Sequence, residues 1–553
     1  MAGADTIARD LAGAADRGLF RTMWSGLVRG LKGGSKEDAA PIIRDGVTIT
    51  RQAMSKIRAT PEAIRQAFSA DGAAPGRQIQ IDRVLTPEQK ESITSIHNLI
   101  LMESRVNDQR YAGTKAISFP ADYKWTPAKG PYRQLWAMMP VDDVKIFTKG
   151  DQVTLPSHLQ GIIRDVEVAG KRGPEKQKFA FFPIHWQQKD IVGKEYPLVE
   201  EGLAHVSASV RVVYMDPTSP MALGDFSHTN IKMHLDDVKG SETPINGGLG
   251  GHRRIDAVWA EMSPTITGLM EKMIKEQKFS PLVDVMPEAV TMVDKNNRGV
   301  IFRTVPEGEV FPAFSLYSPV PKEAKDGLKL AALGGKAPST DILAVDLLEN
   351  LRQKNPGLSK MDAIRELFVD PVLDVVMSMA KEGMALELHP QNFMFRFDPA
   401  TGKVKNIVCR DLHGFNYSAD YRAKKGLPDL LAPESLKQMG FPHLKQETVK
   451  AYFEKDGKVR DRFKSPAVFE NTFDFFSSMW YFHTLDSLEK AGYITHSDAL
   501  QAAEMIKDRL EFFAGKYKFD LSQLNQPTKQ YEFTADPATG IRHKILFRRA
   551  VQK

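Results

Sequence analysis

Between Gly383 and Phe395 the chain reads GMALELHPQNFMF, which places Glu387, His389, Gln391 and Asn392 within six positions. Nineteen residues after Asn392 comes Asp411, in CRDLHGF, with Arg410 beside it. An amide oxygen and a carboxylate are hard donors that suit Mg2+ bound to nucleotide phosphates. Protein kinases hold metal with such an Asn and Asp pair across a hairpin. Kinase-like small-molecule phosphotransferases also carry a catalytic Asp five residues before that Asn. Here the position is Glu387, one methylene longer, so the metal half of such a site is present and its base is altered. No Walker loop, GxGxxG, GxSxG, HExxH or paired CxxC offers a competing chemistry.

The flanking sequence supplies elements able to position these groups. DPVLDVVMSMAKEG has helical spacing and stops at Gly383, a plausible C-cap. NFMFRFD and KVKNIVCRD read as strands joined by the turn DPATGK, a hairpin that brings Asn392 and Asp411 together. Upstream, AVWAEMSPTITGLMEKMIKEQ and PSTDILAVDLLENLRQK read as helices, flanking the β-like VTMVDKNNRGVIFRTV. KFAFFPIHW and AHVSASVRVVYM read as strands, the second with alternation at period two. Residues 1 to about 115 read mainly helical, TPEAIRQAF and TPEQKESITSIHNLILMESRV each opening with a Thr cap and Pro at the first helical position. Residues 116 to 180 read as irregular with short strand-like runs. Helices are expected over most of 428–515, and a second hairpin in QYEFTADPATGIRHKILFRR. The fold class is therefore α+β and multi-domain.

Composition narrows the function classes. The 553 residues are 42% hydrophobic and 26% charged, ordinary globular values. With 75 basic and 69 acidic residues the formal charge is +6, a mild excess that argues for local pockets binding small anions and against nucleic acid. Cys409 is the one cysteine; it permits no internal disulfide and points to a reducing compartment, and within an apolar run it reads as a small core residue. Charges at Asp5, Arg9, Asp10, Asp16, Arg17 and Arg21 exclude a signal peptide, and no stretch reaches membrane-spanning length. A soluble, cytoplasmic protein is expected.

GMALELHPQNFMF with the later VCRD resembles the signature G-[IV]-A-x-E-x-H-x-Q-N…RD of IucA/IucC-type synthetases, the NRPS-independent siderophore synthetases. FFPIHWQQ is similar to that family's hPvHPWQ element without its second Pro, and NIKMHL to its hyvKLpL, which puts Lys232 at the phosphate-contacting lysine. GVIFRTVPE, carrying Arg303, and HKILFRR also follow in the family's order. The resemblance spans about 178–549 and is densest at 383–411. It implies a fingers, palm and thumb architecture with a distantly kinase-like C-terminal palm: a mostly helical thumb-like region over 1–177, a mixed fingers-like region over 178–368 and the palm over 369–553. It implies ATP and Mg2+ as cofactors, and adenylation of a carboxylate such as citrate followed by attack of an amine or hydroxyl. The partners are then small molecules, and a homodimer is in keeping with the family.

The same resemblance implies that Glu387, His389 and Gln391 line the nucleotide site, with Asn392 and Asp411 facing the metal. Lys232, Arg303 and Arg253 or Arg254 are the candidate cations for the phosphates. The family's S-x-R-T aligns with Ser219–Ala222, where Met221 and Ala222 replace the Arg and Thr. The glycine-rich stretch VKGSETPINGGLGGHRR then offers Arg253 or Arg254 as the replacing guanidinium, or else is a surface loop with two solvated arginines. His185 either faces the nucleotide or carboxylate, or packs beside Trp186. Asp411→Ala is expected to abolish adenylation and leave the fold intact. Two other readings stay open: a kinase-like phosphotransferase, and a degenerate homologue that binds nucleotide without catalysis.

Overall fold

The computed structural model describes residues 42–44, 47–49, 87–105, 131–149, 155–170, 173–207, 209, 211–219, 221, 223, 225–235, 255–386, 390–441, 444–455, 458–459, 469 and 484–521. Strands β1 (Ile42–Arg44) and β2 (Val47–Ile49) precede helix α1 (Pro87–Arg105). Seven strands follow: β3 (Tyr132–Pro140), β4 (Val144–Thr148), β5 (Ile163–Gly170), β6 (Gly173–Ile184), β7 (Leu198–Val206), β8 (Val212–Met215) and β9 (Thr229–Met233). Helix α2 (Ala257–Lys275) leads to β10 (Val283–Val285), β11 (Val290–Asp294) and β12 (Gly299–Thr304). Among the described residues all of these strands except β10 form one large antiparallel sheet, ordered β4-β11-β12-β9-β8-β7-β3-β6-β5, with β2 also on β7 and β1 on β2.

The expected helix at α2 forms because Asp256 caps it, its side chain accepting from the Trp259 N–H at 3.0 Å. Pro264 lies inside this helix and has no N–H to give Ala260 O. Thr291 of β11 donates its hydroxyl to that carbonyl instead, at 2.5 Å, so the proline's defect fastens the helix to the sheet.

A second, four-stranded sheet is ordered β10-β16-β15-β13, from β13 (Phe311–Pro312), β15 (Phe393–Phe397) and β16 (Val404–Cys409), with a separate small pair β14 (Met384–Ala385) and β17 (Asn416–Tyr417). The expected hairpin is β15–β16, antiparallel with Phe393 opposite Cys409. β10 runs parallel to β16. Helices α3 (Leu343–Lys354), α4 (Asp370–Ala380) and α5 (His496–Tyr517) share a core with this sheet through residues such as Leu347, Leu373, Phe395 and Ile506. Helix α1 lies between the sheets: Ile96, Leu99 and Ile100 pack with Tyr214 of β8 and with Met394 and Val408 of the hairpin.

Two expectations need correction. The segment read as irregular holds β3, β4 and β5, and β1 and β2 stand in the region read as helical. β3 escaped notice because Leu135, Trp136, Ala137, Met138 and Met139 are all buried, so no period-two pattern exists to detect. The boundary at 177/178 falls inside β6, and that at 368/369 falls within continuous helix running from Arg365–Val369 into α4, so neither marks a break in the chain's architecture. TPEAIRQAF, the glycine-rich stretch and the terminal hairpin lie outside the described residues. Among the described residues no helix is long and apolar enough to cross a membrane.

Candidate functional site

Two neighbouring strands and one hairpin mouth converge on Asp411. On β9, Asn230 and Lys232 point to one face, and on β12 Arg303 pairs with Asn230 while Ile301 pairs with Lys232. The two cations therefore sit diagonally on neighbouring strands. From the second sheet, Arg410 N donates to Asn392 O at 2.7 Å and closes the β15–β16 ladder, after which Asp411 turns into a left-handed conformation with φ 62°. That turn aims its carboxylate at the large sheet. The Arg303 guanidinium donates to Asp411 Oδ1 at 2.6 Å, and the Lys232 ammonium donates to the same oxygen.

The next layer holds these groups in place. The parallel pairing of β10 with β16 continues as Met286 N donates to Cys409 O at 2.8 Å, which carries Glu288 alongside Arg303. Glu288 Oε1 accepts from Arg303 Nε at 2.8 Å, and its backbone N–H donates to Thr267 of α2 at 3.0 Å. Arg410 ion-pairs with Glu103 of α1 at 2.5 Å, donates to the Tyr214 hydroxyl at 2.8 Å, and donates through Nε to Gln391 O. Arg211, just before β8, belongs to the same cluster: its carbonyl accepts from Met233 N at 2.9 Å, and Val212 pairs with Lys232.

Burial governs the electrostatics. The Lys232 side chain is only 4% exposed. Desolvation pulls its ammonium down to about 7; Asp411 and Glu288 oppose this, and the positive charges of Arg211 and Arg303 add to it. Arg303 is also desolvated, but Glu288 and Asp411 outweigh that and hold its guanidinium above the ordinary arginine range. Arg410 is raised likewise, its burial overcome chiefly by Glu103. Four cationic side chains (Arg211, Lys232, Arg303, Arg410) thus face three carboxylates (Glu103, Glu288, Asp411). Asn230 Nδ2 and Glu288 Oε2 are buried without a hydrogen-bond partner among the described residues.

This arrangement is chemically suited to holding an anion. A desolvated ammonium and guanidinium meeting at one carboxylate oxygen form a place where an incoming phosphate exchanges for that carboxylate. Asn392 and Asp411 meet at the hairpin mouth through the backbone ladder, and amide and carboxylate oxygens are donor types that suit Mg2+.

Of the residues named from sequence, Lys232, Arg303 and Asp411 are in direct contact, with Gln391 and Asn392 at the same hairpin mouth through their carbonyls. His185 is buried; its Nδ1 accepts from Gln187 N at 3.2 Å and caps the turn Trp186–Gln188. Gln134 donates to Ile184 O and also reaches Met233 Sδ at 3.5 Å, so His185 lies near the end of β9, one strand residue beyond Lys232. Ser219 is elsewhere. Its hydroxyl accepts from Leu203 N at 2.9 Å, at the open end of the β7–β8 hairpin, whereas Lys232 pairs at the turn end. Met221 packs over Gly202 there, with no role at the cluster. Ser209 and Arg211 have the same Ser-x-Arg spacing as the S-x-R-T element, and Arg211 precedes Val212, the residue paired with Lys232. Arg253, Arg254, Glu387 and His389 lie outside the described residues.

Arg211, Glu288 and Glu103 were not singled out from the sequence. An arginine opening an otherwise apolar strand was the available signal for the first. The other two are acids in apolar runs, MPEA and LILMES, that only a buried counter-ion explains.

No family model and no curated protein matches the chain. Among solved structures it is similar to an ATP-bound aerobactin synthetase, IucA, from a hypervirulent pathotype of Klebsiella pneumoniae, at 14% identity and TM-score 0.43 over 78% of this chain and 73% of that one. The matches are to siderophore synthetases. A second is the petrobactin biosynthesis protein AsbB from Bacillus anthracis str. Sterne, at 13% identity and TM-score 0.44, covering 82% of this chain and 72% of that one. A third is the aerobactin synthetase IucC from the same Klebsiella pathotype, at 11% identity and TM-score 0.44, covering 79% and 78%. The likeness is distant.

Proposed function

We propose that the protein is an ATP-dependent ligase that adenylates a small carboxylic acid and condenses it with an amine or hydroxyl, as in siderophore assembly. The observation that carries this reading is the convergence of Lys232 and Arg303, from adjacent strands, on Asp411 at the mouth of the Asn392–Asp411 hairpin. Lys232, Arg303 and Arg211 would hold the phosphates, and Asn392 and Asp411 the Mg2+. When bound, the divalent cation supplies neutralisation of phosphate charge and of the departing pyrophosphate.

The chemistry asks little of the protein as a base. A carboxylate is already ionised at neutral pH, so its oxygen attacks the α-phosphorus without prior deprotonation, and the P–O bond to pyrophosphate breaks. The protein's task is to stabilise charge that accumulates on the phosphates, and fixed, desolvated cations do this best. Arg303 is held by Glu288 and keeps its orientation when a ligand displaces Asp411 from it. In the second half, the amine or hydroxyl attacks the acyl carbon and gives up its proton to solvent, while the acyl–phosphate C–O bond breaks and AMP leaves. A glutamate at position 387 in place of a kinase aspartate is no defect in this scheme. In this reading Arg211 supplies the guanidinium that Met221 and Ala222 lack.

Carboxylate-dependent exchange of pyrophosphate into ATP, measured across a panel of di- and tricarboxylic acids, tests the proposal. Exchange with at least one acid, and AMP as the co-product with nucleophile present, is expected. ADP with a phosphorylated acceptor would show a phosphotransferase. ATP binding without exchange on any acid would show a non-catalytic homologue.

A further inference from the structure

Asp411 holds a backbone conformation that L-residues rarely adopt, with φ at 62°, so its surroundings must impose it. The residue before it supplies the constraint. Arg410 N–H donates to Asn392 O at 2.7 Å and its Nε donates to Gln391 O, which together tie the hairpin mouth shut. The far end of the same guanidinium is anchored outside the hairpin, on the Tyr214 hydroxyl at 2.8 Å and on the Glu103 carboxylate at 2.5 Å. Both charged groups are out of water: the Arg410 side chain is 8% exposed and that of Glu103 is 0%.

A buried guanidinium needs a facing carboxylate. Glu103 stabilises the Arg410 charge directly, and so, to a smaller extent, do Tyr214 and the neighbouring carboxylate of Asp411. If Glu103 did not answer Arg410, Asp411 would be drawn to do so and would turn from Lys232 and Arg303. We propose that Glu103 of α1 is a positioning residue, which by satisfying Arg410 keeps the Asp411 carboxylate aimed at Lys232 and Arg303. Helix α1 suits this role because it is fastened to both sheets. Asn98 donates to Glu309 at 3.0 Å and to Lys329 O at 2.9 Å, while Ser92 bonds His228 of the large sheet's approach to β9 at 2.6 Å. The consequence for metal and nucleotide rests on the proposed function; the placement of Asp411 does not.

The test uses the full chain with Glu103→Gln, Glu103→Asp and Tyr214→Phe, read by amide hydrogen exchange and by calorimetric titration of Mg2+–ATP. Glu103→Gln should speed exchange of the amides at 410–415 by about tenfold or more, leave those of β9 and α2 unchanged, and weaken Mg2+–ATP by about tenfold. Glu103→Asp should recover most of both effects, since it restores the charge. Tyr214→Phe removes one acceptor from Arg410 and no charge, so it folds if Glu103→Gln does not, and it should show the same local pattern to a smaller extent. Unchanged exchange at 410–415, or a uniform rise across α1 and both sheets without rescue by Asp, overturns the proposal. The local pattern in a protein whose wild type binds no Mg2+–ATP supports the role of Glu103 and overturns the proposed function.

Discussion

Replacing Asp411 by asparagine should move stability and affinity in opposite directions. The amide keeps the shape, and asparagine tolerates the left-handed backbone at φ 62°. What disappears is the negative charge shared by two cations whose side chains are 4% and 3% exposed. Removing one partner of a buried pair costs about 3–5 kcal/mol when the other is left uncompensated. Here the penalty is smaller for two reasons. Arg303 retains Glu288. Lys232, pulled down to about 7 even with Asp411 raising it, sheds its proton once Asp411 is neutral. A stability loss of about 2 kcal/mol is expected. The alanine variant loses in addition the short polar side chain that lets Asp and Asn settle in the left-handed region, so a further loss of up to about 1 kcal/mol is expected with the fold retained.

The affinity follows from the same charge. A carboxylate about 5 Å from an incoming phosphate repels it by roughly 3 kcal/mol at an effective dielectric of about 20. Loss of the Lys232 proton cancels about half of that gain, leaving about 1.4 kcal/mol, or about tenfold tighter binding of ATP without metal. With Mg2+ the sign reverses, because a ligand to the metal is gone, and pyrophosphate exchange should fall by about 100-fold or more. Calorimetry with EDTA and with Mg2+, beside urea melts and exchange assays, separates the three effects. Weaker metal-free ATP binding in Asp411→Asn, or exchange near the wild-type rate, would refute the reasoning.

Arg211→Met should lower exchange by the equivalent of about 2–4 kcal/mol, while Met221→Arg, at the far end of the β7–β8 hairpin, should gain nothing; steady-state exchange rates of the two variants check this. Acid should destabilise the protein through Asp216: burial alone pushes its carboxyl up, but hydrogen bonds from His205, His97 and Thr218 more than reverse that and hold it below the usual carboxylate range. A depressed folded pKa gives stability that is complete above the unfolded value near 4 and lost as pH falls below it, so urea midpoints should drop below about pH 4 and drop less in Asp216→Asn. Cys409 is buried and its thiol is pushed up to about 12, so it should resist thiol reagents at pH 8 until urea unfolds the chain, giving a single clean probe of global opening.

What the sequence disclosed tracks how local each signal is. The hairpin bearing Asn392 and Asp411, the helix ending near Gly383 and the capped helix after Asp256 were legible because turn, cap and periodicity lie within a few residues. β3 was not, since a strand covered on both faces has no alternation. Lys232 and Arg303 could be named one by one, but their meeting depends on the register that pairs Arg303 with Asn230, and 108 residues separate Arg303 from Asp411. The alignment of the S-x-R-T element with Ser219–Ala222 depends on distant pairing in the same way. Two Ser-containing stretches flank β8, and only the pairing of Val212 with Lys232 distinguishes the end that belongs to the site. Glu103 was invisible because its partner lies on the other side of the molecule's sequence.

The sheets divide the site by charge. The large sheet contributes Arg211, Lys232 and Arg303 from the approaches and bodies of β8, β9 and β12. The smaller sheet contributes Asn392 and Asp411 from its hairpin, and Glu288 from the segment leaving β10. The buried like charges on one side are matched by the opposite sign from the other. Arg410 is the exception, a cation on the acidic side, and α1, wedged between the sheets, answers it with Glu103. A substitution at the site is felt as lost docking, and loosening of α1 is felt at Asp411, which is why stability and ligand affinity here must be measured together.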